Sequence, residues 1–189
     1  ALLCTQNLSK LTPAFDSALV QILAASDARL FLFDREGPLS RRYLARLAGC
    51  AQRAGVVLAN RVVLLGARPY AEFLGALQAA DLVLDTDWFS GGSTGLDALA
   101  QGAPVLAWRG PMARGRQTAG MLEQLEVSGL TVDSGEAYAS RALELLADAA
   151  QLADLRQQLR ERAPRLFEAA AVHKAFADLL EALAHEAID

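Results

Sequence analysis

LDTDWFSGGSTGLDALAQGAPVLAW, residues 84–108, reads as strand end, glycine-rich turn, helix and strand. Leu82, Val83 and Leu84 form a short apolar run that Asp85 closes. Gly91, Gly92, Ser93, Thr94 and Gly95 follow, and Leu96, Ala98, Leu99 and Ala100 begin a helical pattern that Gly102 stops. Pro104 to Trp108 is the next strand. A glycine-rich turn feeding a helix N-terminus suits an anion. The backbone can come close, the first N–H groups are unpaired, and the helix dipole favours negative charge there. Ser93 and Thr94 can donate hydroxyl hydrogens to a phosphate oxygen, and Asp97, one turn in, can accept from a sugar hydroxyl. The plainer reading is a capped helix of an α/β sheet, with Ser93 or Thr94 as its N-cap. The spacing is neither a P-loop nor a strict G-x-G-x-x-G and leaves both readings open, leaning to the plainer one.

Outward from that stretch, apolar runs alternate with helical patterns along the chain. Strands are expected at 1–4, 30–33, 61–66, 82–85, 104–108 and, weakly, 130–132. Helices are expected at about 12–25, 38–54, 70–79, 114–125, 136–147, 149–162 and 168–187, with Pro164 dividing the last two. Thr12-Pro13 opens the first of these as N-cap and N1, and Phe15, Leu19, Ile22 and Leu23 share its inner face. In the helix at 38–54, Tyr43, Leu44, Leu47 and Ala48 are expected inward and the arginines outward. Strands separated by helices predict an α/β fold, a doubly wound, mostly parallel sheet with extra C-terminal helices. Ligands of such sheets sit beyond the C-terminal strand ends, where strand order switches. The loops there run from Gln6 to Lys10, Gly66 to Phe73, Asp85 to Thr94 and Arg109 to Arg116. No repeat or linker divides the sequence, so one domain, 1–189, is expected.

Composition narrows the partners. The 189 residues are 53% hydrophobic and 21% charged, as in an ordinary globular chain with a full core. A net charge of −4 without a basic run argues against nucleic acid or an anionic membrane surface. Lys10 and Lys174 are the only lysines, which singles out Lys10 at a strand end. Cys4 and Cys50 are far apart, and no Cys/His cluster has metal-ligand spacing. Two free thiols in a reducing, cytoplasmic setting are expected. No apolar run approaches 18 residues. The sequence starts at Ala1 inside a strand-like run, so a fragment of something longer is expected.

A series of motifs in fixed order adds to this: NLSKLTP at 7–13, RVVLLG at 61–66, DLVLDT at 81–86, GGSTGLDAL at 91–99, GAPVL at 102–106, Arg116, LRQQLR at 155–160 and PRLFE at 164–168. Together they resemble the C-terminal half of the protein O-GlcNAc transferase family, including its bacterial tetratricopeptide-linked, SPINDLY-like members. The resemblance implies a Rossmann-like, nucleotide-sugar-binding half of a two-domain GT-B glycosyltransferase. It implies a UDP-N-acetylglucosamine donor, a protein Ser or Thr hydroxyl as acceptor, inversion at the anomeric carbon, and no metal or other cofactor. The other half, with a tetratricopeptide region, would supply the acceptor groove and the base, and the helices from about 149 to 187 would pack against it.

Carried over residue by residue, Lys10 matches the lysine that stabilises the departing diphosphate, a flexible point charge suited to that task. Ser93 and Thr94 match the hydroxyl pair at the helix start, Asp97 the acid that holds the ribose, and Asn7 an amide side chain near the phosphates. Arg116 matches a recurrent arginine for which a structural salt bridge is an equal reading. Three positions depart from the pattern. Gly92 stands where the family has a histidine, Phe73 where it has a histidine against the uracil, and Tyr70 where it has a lysine. Phe73 keeps a flat apolar face for stacking, and Arg68 in the same loop joins the donor-binding candidates. Asp85 and Asp87 admit an acid/base or metal pair, but ending a strand and opening a turn explains them more simply. Trp88 and Phe89 line the sugar pocket or cover the sheet. His173 and His185 read as surface or packing residues. The competing functions are a catalytically inactive scaffold descended from such an enzyme, and another sugar-nucleotide enzyme, such as an epimerase, built on a similar half.

Overall fold

Apolar runs too short for helices pair as strands because their side chains are buried on both faces of a sheet. The computed structural model describes residues 1–34, 37–167 and 170–186. Within them six strands, β1 (Leu2–Cys4), β2 (Leu30–Phe33), β3 (Val62–Leu65), β4 (Leu82–Leu84), β5 (Val105–Trp108) and β6 (Thr131–Val132), form one all-parallel sheet. The order is β3-β2-β1-β4-β5-β6, a Rossmann-like winding. Leu2 of β1 is in register with Leu30 on one side and Leu82 on the other. Strand order therefore reverses between β1 and β4, and the loops leaving these two strands diverge over a crevice.

The described residues form eight α-helices: α1 (Pro13–Ala24), α2 (Pro38–Arg53), α3 (Tyr70–Ala79), α4 (Ser93–Ala100), α5 (Gln117–Gln124), α6 (Gly135–Ala147), α7 (Ala149–Arg162) and α8 (Ala170–Glu186). α1 packs on α2 and α6, while α4 packs on α3, α5 and α7. α1 begins as its sequence dictates: Thr12 caps it by accepting the Phe15 N–H, Pro13 follows at N1, and Phe15, Leu19, Ile22 and Leu23 are buried. Thr12→Ala is expected to cost about 1 kcal/mol of stability, read by urea unfolding. At the centre of the core, Tyr138 is fully buried against Phe15 and Trp108, and its hydroxyl donates to the Asp85 carbonyl at 3.1 Å.

Three local expectations need correction. The inner stripe of α2 is Ser40, Tyr43, Leu47 and Ala51, while Leu44 is only half-buried and Ala48 faces solvent. Spacings of 3 and 4 keep the first four on one side, and Ala48 lies 100° past Leu47. Arg46 does not simply point outward either. Its guanidinium turns back to Asp16 at 2.6 Å and to the Leu11 carbonyl. Burial pushes the Asp16 carboxyl up and Arg46 opposes it. Finally, the helix expected at 114–125 is broken into a 3-10 turn, Ala113–Gly115, and α5, with Arg116 between them outside helical geometry.

Pro164 sits in a second such turn, Ala163–Leu166. α7 buries Leu152, Leu155 and Leu159 within the chain. α8 behaves differently: Val172, Phe176, Leu179, Leu180 and Leu183 are each more than half exposed. Among the described residues no helix is long and apolar enough to cross a membrane. Glu168 of the PRLFE motif, residues 168, 169 and 187 of the last expected helix, and the His185 side chain lie outside the described residues. His173 is exposed on α8.

Candidate functional site

The turn after β4 is built around Asp85. Its carboxylate, almost fully buried, accepts the Gly91 N–H at 2.8 Å, the Gln6 amide at 3.2 Å and the Ser90 hydroxyl. Ser90 in turn accepts the Thr118 N–H, and the Thr118 hydroxyl donates to the Gly91 carbonyl. The turn is thus pinned to α5 as well as to β4. This matches the strand-ending role expected of Asp85, whose oxygens are committed to protein donors. Asp87 is separate, accepting from the Thr12 hydroxyl at 3.4 Å. Among the described residues no group of three or more His, Cys, Asp and Glu side chains converges as a metal site would need.

Pinned in this way, the turn delivers α4 with an open N-terminus. The N-cap is Gly92, not Ser93 or Thr94, and no side chain caps the helix. Ser93 and Thr94 are its first two residues, so the plain-N-cap reading of them fails. Their hydroxyls stand beside first-turn N–H groups that a helix cannot pair internally. At Gly92 a β-carbon would meet the Gln117 side-chain oxygen at 2.7 Å, so Gln117 fills the space a larger residue there would need.

The loop after β1 supplies the facing charge. Lys10 ends a 3-10 turn, Leu8–Lys10. Its ammonium donates to the Gln6 side-chain oxygen at 3.0 Å and lies 4.1 Å from the centre of the Phe89 ring. Burial lowers the lysine's pKa, and the nearby Asp85 charge works against that. Asn7 bonds locally. Its side-chain oxygen accepts from the backbone and hydroxyl of Ser9, at 2.9 and 2.8 Å, and so caps the turn. The amide that links the β1 loop to the start of α4 belongs to Gln6. It is buried and bonded to Lys10, Thr94 and Asp85 together. Sequence reasoning passed over Gln6. The available signal was its place, two residues beyond the central strand β1.

The β3–α3 loop completes a second cluster. Tyr70 donates its hydroxyl to Asp97 at 2.6 Å, and that bond holds the phenol above its ordinary pKa. The Tyr70 and Phe73 rings stack at 6.2 Å, and Phe73 packs on Phe33 at 5.3 Å. Tyr70 thus links Phe73 and Asp97. Arg68 is engaged in an exposed pair with Glu72 at 3.6 Å. Arg116 makes no structural salt bridge among the described residues. Its Nε donates to the Gly110 carbonyl at 2.7 Å, bracing the loop after β5. Trp88 and Phe89 are each 43% exposed, so neither is buried against the sheet.

The family model for glycosyl transferase family 41 matches residues 4–175. The chain belongs to glycosyltransferase family 41. Consistent with that family, a mutant O-GlcNAc transferase from Thermobaculum terrenum superposes with a TM-score of 0.80 at 32% identity, over 96% of this chain and 35% of that one. Two more distant structures show the same fold. Sucrose-phosphate synthase from Thermosynechococcus elongatus gives a TM-score of 0.69 at 23% identity, over 98% of this chain and 45% of its own. HepE from Anabaena, solved with UDP and glucose, gives 0.67 at 19% identity, over 96% of this chain and 48% of its own. This family 41 chain therefore spans half or less of the proteins it superposes on. No curated protein matches its sequence.

Proposed function

We propose that this chain is the donor-binding half of an inverting, metal-independent protein O-glycosyltransferase, and that it takes a UDP-sugar, UDP-N-acetylglucosamine first. One observation carries the reading. At the β1/β4 switch point, Lys10 and the uncapped N-terminus of α4 stand on the two walls of one crevice, joined through Gln6. An ammonium, two hydroxyls and free N–H groups are what a departing diphosphate needs where no metal neutralises it. Asp97, one turn further, suits the ribose, and the stacked Tyr70 and Phe73 suit the base. The 2.6 Å bond from Tyr70 orients the Asp97 carboxylate toward that task. The acceptor hydroxyl, its base and any tetratricopeptide region belong, in this reading, to other parts of the enzyme, and the exposed apolar face of α8 is assigned to contact with them.

Titration calorimetry tests it. UDP should bind in preference to ADP and GDP. Lys10→Ala should weaken UDP binding by about 10- to 100-fold, the value of a hydrogen bond to a charged group, and Asp97→Ala by about 10-fold. Absence of UDP binding, or equal binding of the three diphosphates, would sink the reading and favour an inactive scaffold.

A further inference from the structure

Lys10 ends the 3-10 turn after β1 and Thr94 lies in the first turn of α4, 84 positions further along the sequence (94 − 10). What joins them is one buried side chain. Gln6 is 3% exposed, and both of its side-chain polar atoms are engaged. Its oxygen accepts from Lys10 at 3.0 Å, and its nitrogen donates to Thr94 Oγ1 at 3.3 Å and to Asp85 Oδ1 at 3.2 Å. The third bond matters because Asp85 is itself immobile, held by Ser90 and the Gly91 N–H. The backbone of the β4 turn is shaped to let Gln6 in: at Gly91 a β-carbon would sit 2.6 Å from the Gln6 nitrogen and 2.8 Å from Thr94 Oγ1.

We propose that Gln6 is the positioning residue of the diphosphate site, setting the spacing between the Lys10 ammonium and the Thr94 hydroxyl. The inference rests on the donor-binding reading above. Gln6 is too buried to contact the donor and acts through its two partners. A free lysine side chain samples many rotamers, and fixing it during binding weakens affinity. With one N–H on Gln6 and its charge over the Phe89 ring, Lys10 is fixed beforehand and keeps hydrogens for a phosphate. Thr94, with its oxygen accepting from Gln6, keeps its own hydrogen for another acceptor.

The test compares UDP with uridine by competition calorimetry on the full chain, because their affinity ratio isolates the diphosphate. Gln6→Met keeps the length and burial but removes the amide. It should weaken UDP by about 10-fold, the loss of one hydrogen bond's worth of orientation, and leave uridine unchanged. In a Lys10→Ala background the same change should weaken UDP by clearly less, since coupled residues do not add. Gln6→Asn, which keeps the amide but not the reach, should lower the ratio as Gln6→Met does and serves if the methionine variant fails to fold. An unchanged UDP-to-uridine ratio, an equal loss of both ligands, or fully multiplicative losses in the Lys10→Ala background would overturn the proposal. If the unmodified chain binds no UDP, the donor-binding reading falls and this inference with it. If that chain binds UDP and the variants keep its ratio, the inference alone falls.

Discussion

Asp85→Ala is expected to lower stability by about 3–5 kcal/mol, the cost of leaving several buried hydrogen-bond donors without their acceptor. The carboxylate collects the Gly91 N–H, the Gln6 amide and the Ser90 hydroxyl where water does not reach. Alanine leaves the Gly91 N–H and one Gln6 N–H buried and unpaired, at roughly 1–3 kcal/mol each before relaxation, while the Ser90 hydroxyl can turn to Thr118 Oγ1 at 3.0 Å. For a chain of this length that lowers Tm by about 6–20 °C in a thermal melt. Asp85→Asn separates charge from hydrogen bonding. Its oxygen can take Gly91 and Gln6, and Ser90 can turn to accept from the new amide, so the loss should be much smaller. The two carboxyl forms also predict a pH dependence. Burial holds the Asp85 pKa above its ordinary value, with the Ser90, Thr118 and Gly91 hydrogen bonds pulling the other way. The folded protein then keeps a proton that the unfolded chain has lost. The stability this gives is complete below the unfolded pKa of about 3.9 and is gone once pH rises past the folded one. Relative to Asp85→Asn, the parent chain should therefore lose ground as pH climbs from about 4. A stability difference that does not change with pH would contradict this account.

How far the sequence foretells the site depends on the range of each interaction. The strands and helices were readable because β-α alternation repeats at short range, and the order β3-β2-β1-β4-β5-β6 is a right-handed winding such alternation allows. Thr12 was readable because an N-cap acts within three residues. Gln6 was not, since its partners Asp85 and Thr94 lie 79 and 88 positions away. Asn7 shows the short-range case. Its bonds to Ser9 span two residues, a local turn that competes with any long-range role. The helix expected from 114 breaks at Arg116, where loop packing against the Asp87 carbonyl overrides helical propensity.

Gly110→Ala is the second large effect, and it arises from that packing. The Asp87 carbonyl packs on both Gly110 and Gly115, which lie side by side, and a β-carbon on either glycine would fall well inside contact distance of the carbonyl oxygen. The obstacle is backbone, so no side chain can swing away. Relief requires the Asp87 peptide itself to lift away from both glycines. The surrounding bonds resist as well: Gly110 N–H to the Gly115 carbonyl at 3.0 Å, Ser90 N–H to the Arg114 carbonyl at 2.8 Å, and Arg114 Nε to the Trp88 carbonyl at 3.2 Å. Overpacking a core typically costs 1–3 kcal/mol, and with a backbone obstacle about 3 kcal/mol is expected, or a Tm lower by roughly 6–12 °C. The relief available is a shift of the Trp88–Phe89 turn, which would carry the Phe89 ring from beneath Lys10. UDP affinity should therefore fall together with stability. Gly75→Ala and Gly120→Ala provide the contrast. Both glycines lie inside helices with open space where the methyl would go, and alanine there should stabilise by about 0.5–1 kcal/mol with UDP affinity intact. If Gly110→Ala melts and binds UDP like its parent, the clasp around Asp87 does not hold the turn, and Lys10 must be fixed by Gln6 alone.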